Sequence, residues 1–259
     1  MVKGLYTAYT GMINEQNRMD IMTNNLANAS TVGYKKEGST SQSFDDVLTV
    51  KIKDQSVGMR NVQRIGVKNP GVKIGENYTD YSQGSFRITG NTYDLALSGE
   101  GFFAIEFTNK AGETDTKYTR AGQFTLNKDG YLTTEEGDYV LDTQNRRIRL
   151  NTLIDSSITD DGTIYQNGQA VAKIQVTDFE DYNYLEKYGE TYYQPIQGAR
   201  TVAANAQVKS GYLEMANVQV VSEMVNLISI TRAYESNQKV VQTIDDTLDV
   251  AVNQIGRIQ

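Results

Sequence analysis

The chain contains no cysteine, no histidine and no tryptophan, and only two prolines in 259 residues. Without cysteine there is no disulfide framework and no thiolate chemistry. Without histidine the commonest general base and the commonest zinc ligand are both missing, so any catalysis would fall to carboxylates, Tyr, Lys or Ser. Positive charge is also scarce: 25 Lys and Arg stand against 32 Asp and Glu, a formal net charge of −7. That balance argues against nucleic acid as a partner, because such surfaces need clustered cations. No polybasic membrane patch is present either. No apolar run approaches the ~18–20 residues of a transmembrane helix, so no membrane insertion is expected. Residues 1–20 lack the continuous apolar core and cleavage site of a secretory leader, so no cleaved signal peptide is expected.

What the chain does have is periodicity at both ends. Val220, Leu227, Tyr234, Val241, Leu248 and Ile255 fall seven apart, and Ile230, Asn237, Ile244, Ala251 and Ile258 follow three residues on, headed by Glu223. This is an a/d heptad seam whose polar members are Glu223 and Asn237. A helix of ~40 residues is roughly 60 Å long and needs a partner. The N-terminus offers one: Leu5, Met12, Met19 and Leu26 are seven apart, followed by Ala8, Glu15, Met22 and Ala29. Two terminal helices, over 2–29 and from about 220 to 258, predict a composite helical domain with everything else inserted. The length of the seam predicts self-association. Asn14, Asn17, Asn24, Asn25 and Asn28 lower the intrinsic helicity of the first helix, which is expected to depend on packing.

Between the helices the pattern changes. Residues 30–43 read as a polar exit loop and 54–77 as a second polar connector with a turn at Asn69-Pro70-Gly71, while 44–52 reads as a short strand or helix. Residues 78–215 read as β, with short alternating runs split by Gly and Asp. Asn127-Lys128-Asp129-Gly130 and Asn167-Gly168 are hairpin signals. The Tyr-rich stretch 179–193 reads as a surface loop or edge. Helical periodicity is expected to resume near Tyr212 or Asn217. The fold class is therefore α+β: a discontinuous helical coiled-coil domain from both termini (1–43 and 211–259), a connector (44–77) and an inserted all-β domain (78–210).

No constellation points to catalysis. The carboxylate pairs Asp45-Asp46, Glu135-Glu136, Asp160-Asp161 and Asp245-Asp246 are adjacent in sequence, whereas paired catalysts face each other across a cleft. Asp160-Asp161-Gly162 lacks the ligand spacing of a calcium loop. Ser98-Gly99-Glu100-Gly101 is only a fragment of a phosphate loop and reads better as a turn. No metal or cofactor is expected, and no enzyme.

Three stretches carry a resemblance. Asn24-Asn25-Leu26-Ala27-Asn28-Ala29-Ser30-Thr31-Val32-Gly33-Tyr34-Lys35 resembles the signature of bacterial flagellar rod and hook proteins, in which an N-N-(I/L)-A-N segment precedes T-x-G-Y-K. Asp94 to Phe103, with Gly99, Gly101, Phe102 and Phe103, is similar to the family's D-L-A-I-x-G-x-G-F-F, and Tyr118 to Phe124 also falls into place. Leu213-Glu214-Met215-Ala216-Asn217-Val218, followed by Arg232, Ala233, Tyr234, Glu235, Ser236 and Asn237, is similar to the family's C-terminal signature. The motifs occur in the family's order over nearly the whole chain. Ser30, Val32 and Ala216 depart from it, where Asn, Pro and Ser are usual.

The resemblance implies a structural subunit of the flagellar basal-body rod, most like rod members with a single β domain, distal or proximal. It implies helical self-assembly into a hollow axial shaft, neighbouring rod and hook proteins as partners, and export through the flagellar type III apparatus. The seam residues Leu5, Met12, Met19, Met22, Leu26, Val220, Leu227, Ile230, Tyr234, Val241, Ile244, Leu248 and Ile255 are the expected assembly contacts. The competing reading is a secreted wall- or carbohydrate-binding β module on a coiled-coil stalk, with Tyr182 to Tyr193 as its binding face.

Overall fold

A computed structural model describes residues 2–52, 62–109 and 112–255. The chain divides into two compact units: Met1–Leu26, Glu37–Asp80 and Val220–Gln259 form one, and Ala27–Lys36 with Tyr81–Gln219 form the other. These boundaries differ from those read off the sequence. The segment 27–36 and residues 211–219 pack with the β-rich unit, because their backbones pair there. Residues 37–80 pack with the helices.

In the first unit, helix α1 spans Val2–Ala27 and helix α2 spans Val220–Val250, continuing as a π-turn over Ala251–Ile255. The helices run antiparallel. A Cβ added at Gly4 would stand 3.5 Å from Ile244 Cδ1, and one at Gly11 3.0 Å from Asn237 Nδ2. Seven residues forward on α1 therefore match seven backward on α2. Along α2, residues 223, 227, 230, 234, 237, 241, 244, 248 and 251 are all buried or half-buried, at steps of four and three. None of these positions is charged except Glu223, which lies in the first turn where the helix dipole favours an anion.

The stretches expected to be exit loop and connector instead carry strands of a β-ribbon, residues 44–52 supply another strand as one of their two readings had it, and positions 54–61 of the connector lie outside the described residues. Strands β1 (Glu37–Ser43) and β2 (Val47–Ile52) run out, and β3 (Val62–Lys68) and β4 (Val72–Thr79) run back. β1 pairs with β4 and β2 with β3, both antiparallel. Asn69-Pro70-Gly71 is the expected turn, with Asn69 Oδ1 accepting from Gly71 N–H at 2.9 Å. Polar composition hid β1 and β4, which are largely exposed and lack the apolar alternation of a buried strand. The asparagines that weaken α1 tie the ribbon to it. The Asn25 side chain donates to the Glu37 carbonyl (2.7 Å) and accepts from the Glu37 N–H (2.9 Å), as a neighbouring strand would. Asn14 Oδ1 accepts from Ser41 Oγ at 3.0 Å, and Thr7 Oγ1 donates to the Pro70 carbonyl.

Among the described residues from 81 to 219 the second unit is all β but for a 3-10 turn at Tyr182–Tyr184. Its strands are β5 (Phe86–Ile88), β6 (Leu95–Ser98), β7 (Phe102–Thr108), β8 (Thr114–Thr119), β9 (Phe124–Leu126), β10 (Leu132–Thr134), β11 (Tyr139–Val140), β12 (Ser156–Ile158), β13 (Thr163–Gln166), β14 (Gln169–Lys173), β15 (Val176–Phe179), β16 (Leu185–Tyr188), β17 (Tyr192–Pro195), β18 (Thr201–Ala203), β19 (Gln207–Ser210) and β20 (Tyr212–Glu214). The main sheet runs β16-β17-β8-β7-β11-β10-β9, with β15 joining β7 to β18. Strand β7 organises it. Successive side chains of a strand point to opposite faces, so Phe103 enters one apolar cluster with Phe124, Leu132 and Ile164, while Phe102 and Ala104 enter another with Phe179 and Tyr193. Burial on both faces is why this run is continuously apolar.

Both expected hairpins form. Asn127 N–H donates to the Tyr131 carbonyl between β9 and β10, and Asn167 and Gly168 both have positive φ between β13 and β14, as a type I′ turn requires. The Tyr-rich stretch is more than a surface loop: its residues form the β16–β17 hairpin, and Tyr193 is fully buried. Residues 148–150 make an isolated bridge through Arg149, beside that of Arg147, rather than a strand. Tyr212 opens β20, so helix begins only at Val220.

Candidate functional site

The residues that carry the sequence signatures converge inside the second unit on one buried carboxylate. Glu214, in β20, is fully buried, as are Lys35 and Arg120. Lys35 Nζ donates to Glu214 Oε1 at 2.7 Å and to the Ser82 carbonyl at 2.7 Å. Gly84 N–H donates to the same Oε1 at 2.9 Å, and Arg120 Nη1 reaches Glu214 Oε2 at 3.3 Å. A carboxylate in such a place needs its lone pairs filled, because an unpaired buried charge costs several kcal/mol. Here three donors from three chain segments fill them.

Backbone bonds reinforce the same junction. Gly33 N–H donates to the Glu214 carbonyl (2.8 Å), Met215 N–H to the Ser85 carbonyl (2.9 Å), and Val32 bridges Met215. The Asn217 side chain accepts from Lys36 N–H at 2.7 Å and donates to Ser82 Oγ at 3.0 Å. Gly33 is required by two constraints at once: its φ is +69°, and a Cβ there would lie 2.3 Å from the Ala121 nitrogen. Gly84 is equally constrained, since a Cβ would fall 1.9 Å from the Met215 carbonyl oxygen. Tyr34 is fully buried with Lys187 Nζ 4.2 Å from its ring centroid. Asn28 and Thr31 cap the turn after α1, with Thr31 Oγ1 donating to Asn28 Oδ1, and Asn28 Nδ2 reaches Glu190. Ala27 closes the helix.

The other signature residues lie elsewhere. Gly99 and Gly101 adopt positive φ between β6 and β7, where Cβ atoms would strike Asn205 and Ala204, so this is a close-packed turn rather than a phosphate cradle. Asn237 sits over Gly11 in the first unit. Arg232 and Glu235 are exposed on α2. Of the seam residues, Leu5, Met12, Met19, Met22 and Leu26 on α1, and Leu227, Ile230, Tyr234, Val241, Ile244 and Leu248 on α2, are buried or half-buried. Val220 is 42% exposed, and the Ile255 side chain lies outside the described residues.

Reading the sequence missed the charge cluster. Lys35, Arg120 and Glu214 were visible as motif members, but nothing in their spacing says that they are buried together. A second cluster was also missed. The Tyr192 hydroxyl lies 2.8 Å from Asp138 Oδ2 and 3.1 Å from Glu136 Oε2. Burial, and then the hydrogen bond to Asp138, push the Tyr192 phenol far above its ordinary range. Asp161 belongs to a turn, where hydrogen bonds from Thr159 and Thr163 hold its carboxyl below its usual value. Among the described residues no cluster of acidic side chains could hold a metal ion, and no helix is long and apolar enough to cross a membrane. The arrangement is a desolvated ion-pair cluster in which both Glu214 carboxylate oxygens meet a donor, while Arg120 Nε is buried without a hydrogen-bond partner.

Comparison with known proteins matches stretches that contain most of these signature residues. Residues 5–35 match the flagella basal body rod protein family, residues 96–168 the flagellar hook protein FlgE/F/G D1 domain, and residues 209–255 the flagellar basal body rod FlgEFG protein C-terminal family. The flagellar basal-body rod protein FlgG of Bacillus subtilis (strain 168) is 34% identical over 272 residues, covering 98% of this chain and 99% of that protein. The flagellar basal-body rod protein FlgF of Caulobacter vibrioides is 32% identical over 260 residues, covering all of both chains. The flagellar hook-basal body complex protein FlhO of B. subtilis is 32% identical over the whole of both chains.

Proposed function

The chain belongs to the flagellar basal-body rod protein family and is a structural subunit of the rod; from that premise we propose how it assembles and what each part contributes. Copies polymerise helically into a hollow shaft that transmits torque and passes exported subunits. The helices near the two chain ends form a coiled-coil domain, and the β domain is an insertion into it. The observation that carries this reading is the antiparallel packing of α1 on α2 at heptad spacing, with Gly11 under Asn237. It leaves both helices with a second, outer face for neighbours.

The ribbon within 44–77 acts as a rod-specific brace. Its two-stranded pairs leave Val47, Leu48 and Val67 at least half exposed, and an isolated hairpin is only marginally stable in water. Contact with neighbouring subunits would cover it and resist twisting. Neighbouring rod and hook proteins extend the shaft at either end. The subunit leaves the cell through the flagellar type III apparatus, and it carries out no catalysis.

Electron microscopy of the concentrated full-length protein tests this. Hollow tubes are expected from the wild type and none from Leu248→Asp. Loss of swimming with basal bodies that stop short of the hook is expected when the gene is deleted. A deletion strain that swims normally overturns the assignment.

A further inference from the structure

We propose that the turn Asn167-Gly168 is a site of spontaneous covalent modification, at which the asparagine loses its amide to give aspartate and isoaspartate, and that the isoaspartate loosens the loop 151–156 held by the neighbouring Gln166.

Asn167 is the only asparagine of the chain that glycine follows. The order matters because the reaction begins at the backbone nitrogen of the next residue, and glycine has no Cβ to crowd it. The Gly168 nitrogen attacks Asn167 Cγ and gives up its proton. The side-chain nitrogen departs as ammonia, and a succinimide ring closes. Water then adds to one of the two ring carbonyls and breaks that carbonyl's bond to nitrogen. One product is aspartate. The other is isoaspartate, in which Cβ has entered the main chain. Water is the only co-reactant.

The fold leaves both reacting groups open. Asn167 and Gly168 are the whole of the loop between β13 and β14, whose last pair is Gln166 with Gln169. Both loop residues are exposed, and a Cβ added at Gly168 would meet nothing within 4 Å. Among the described residues neither the Asn167 side chain nor the Gly168 N–H has a hydrogen-bond partner. The two Asp-Gly turns, open in principle to the same ring closure, are held shut. Gly130 N–H donates to the Asn127 carbonyl at 3.0 Å, and Gly162 N–H to the Thr159 carbonyl at 2.8 Å. The Asp161 carboxylate is also engaged by the Thr159 and Thr163 hydroxyls. For the ring to form at Asn167 the turn must open. That opening is local, since β14 is a mostly exposed edge strand of a three-stranded sheet, and such segments open at far less cost than the whole fold.

The modified turn sits beside a residue that holds another loop. Gln166 is buried. Its Oε1 accepts from the Asn151 N–H at 3.0 Å, and its Nε2 donates to the Asn151 carbonyl at 2.9 Å and to Ser156 Oγ at 3.0 Å. The loop so held carries Leu153, 92% exposed. A two-residue type I′ loop matches the twist of its flanking strands. Isoaspartate adds a backbone atom to it, so the Gln166–Gln169 pair loses its register and the Gln166 side chain is drawn off the loop. Aspartate adds only a charge, at an exposed position where the turn accepts Asp-Gly as readily as Asn-Gly.

Ageing the full-length protein in mildly alkaline heavy-oxygen water, followed by peptide mass mapping and isoaspartyl methyltransferase labelling, tests the site. Conversion at Asn167 is expected to run several-fold ahead of that at any other asparagine, with isoaspartate among the products, and to be faster still in urea. Hydrogen exchange tests the consequence. The Asn151 and Leu153 amides are expected to exchange several-fold faster in the isoaspartate fraction than in the fresh protein, and at the fresh protein's rate in newly made Asn167→Asp. Conversion of another asparagine ahead of Asn167, or an intact Asn167 in folded protein after the urea sample has converted, overturns the site. Equal exchange in the isoaspartate fraction and in Asn167→Asp overturns the hold on the loop.

Discussion

Lys35 and Glu214 are 179 positions apart in the chain, yet Lys35 Nζ and Glu214 Oε1 meet at 2.7 Å with both side chains almost fully buried. Nearly everything in the second unit lies between them in sequence. The pair closes that unit where the chain enters it from α1 and leaves it toward α2. Arg120 on the other carboxylate oxygen ties the middle of the chain to the same point.

Glu214→Gln removes the charge and leaves two buried cations facing a neutral amide. Breaking a buried ion pair from one side costs about 3–5 kcal/mol. The urea midpoint of the β unit is expected to fall accordingly. Lys35→Met should cost less, because Arg120 and the Gly84 N–H still satisfy the carboxylate. Equal effects from the two changes would count against a shared carboxylate.

Two glycines with nearly the same backbone separate conformational cost from collision. Gly90 has φ +74° with nothing within 4 Å of an added Cβ, so Gly90→Ala should cost about 1–2 kcal/mol, the left-handed penalty alone. Gly33 has φ +69° and backbone atoms of Arg120 and Ala121 within 2.6 Å of that position. Gly33→Ala is therefore expected to cost several kcal/mol more than the ~1–3 kcal/mol of backbone strain, seen as a much larger drop in thermal midpoint.

The Tyr192 cluster makes a pH prediction. One hydroxyl proton cannot serve both Asp138 and Glu136. Burial raises the Asp138 carboxyl above its ordinary range, the Glu136 charge adds to the rise, and the Tyr192 hydrogen bond opposes it. A carboxyl whose folded pKa is raised stabilises the fold in acid, fully below its unfolded value of ~3.9, and that contribution is lost as pH rises through the folded pKa. Glu106 works in the opposite direction. Its hydrogen bond from Arg147 lowers its pKa, so its contribution is present above the ordinary value and lost in acid. Comparing wild type with Asp138→Asn isolates the first. The wild type should gain on the variant as pH falls from neutral to about 4. A stability difference that stays flat over that range would rule out a raised Asp138 carboxyl.

Leu227→Asp and Leu248→Asp place a charge in the half-buried face of α2. The far-ultraviolet helical signal should drop and polymerisation stop, while the near-ultraviolet tyrosine signal of the β unit persists. Normal tube growth by either variant would mean that the seam bears no load.

The heptad spacing of α2, the β character of the middle and the two tight hairpins were all legible because they are local. A repeat of seven, an Asn-Gly turn and a continuous apolar strand each state their structure within a few residues. The ribbon over 37–79 was not legible. Its outer strands β1 and β4 are polar and largely exposed, and they take their shape from pairing across up to 42 positions (Glu37 with Thr79) and from Asn14 and Asn25 on α1. Tyr193 likewise read as surface because tyrosine serves both surface and core.

By itself the sequence determined the family, the α+β class, the helical face that would be covered, and the absence of the chemistry that cysteine and histidine perform. Only the tertiary structure decided what covers that face, where α1 meets α2 in antiparallel register, and which charges are buried together. The physical reason is range. Propensity, turn chemistry and periodicity act between near neighbours in the chain, whereas desolvating Lys35, Arg120 and Glu214 at one point depends on contacts that only the completed fold brings into place.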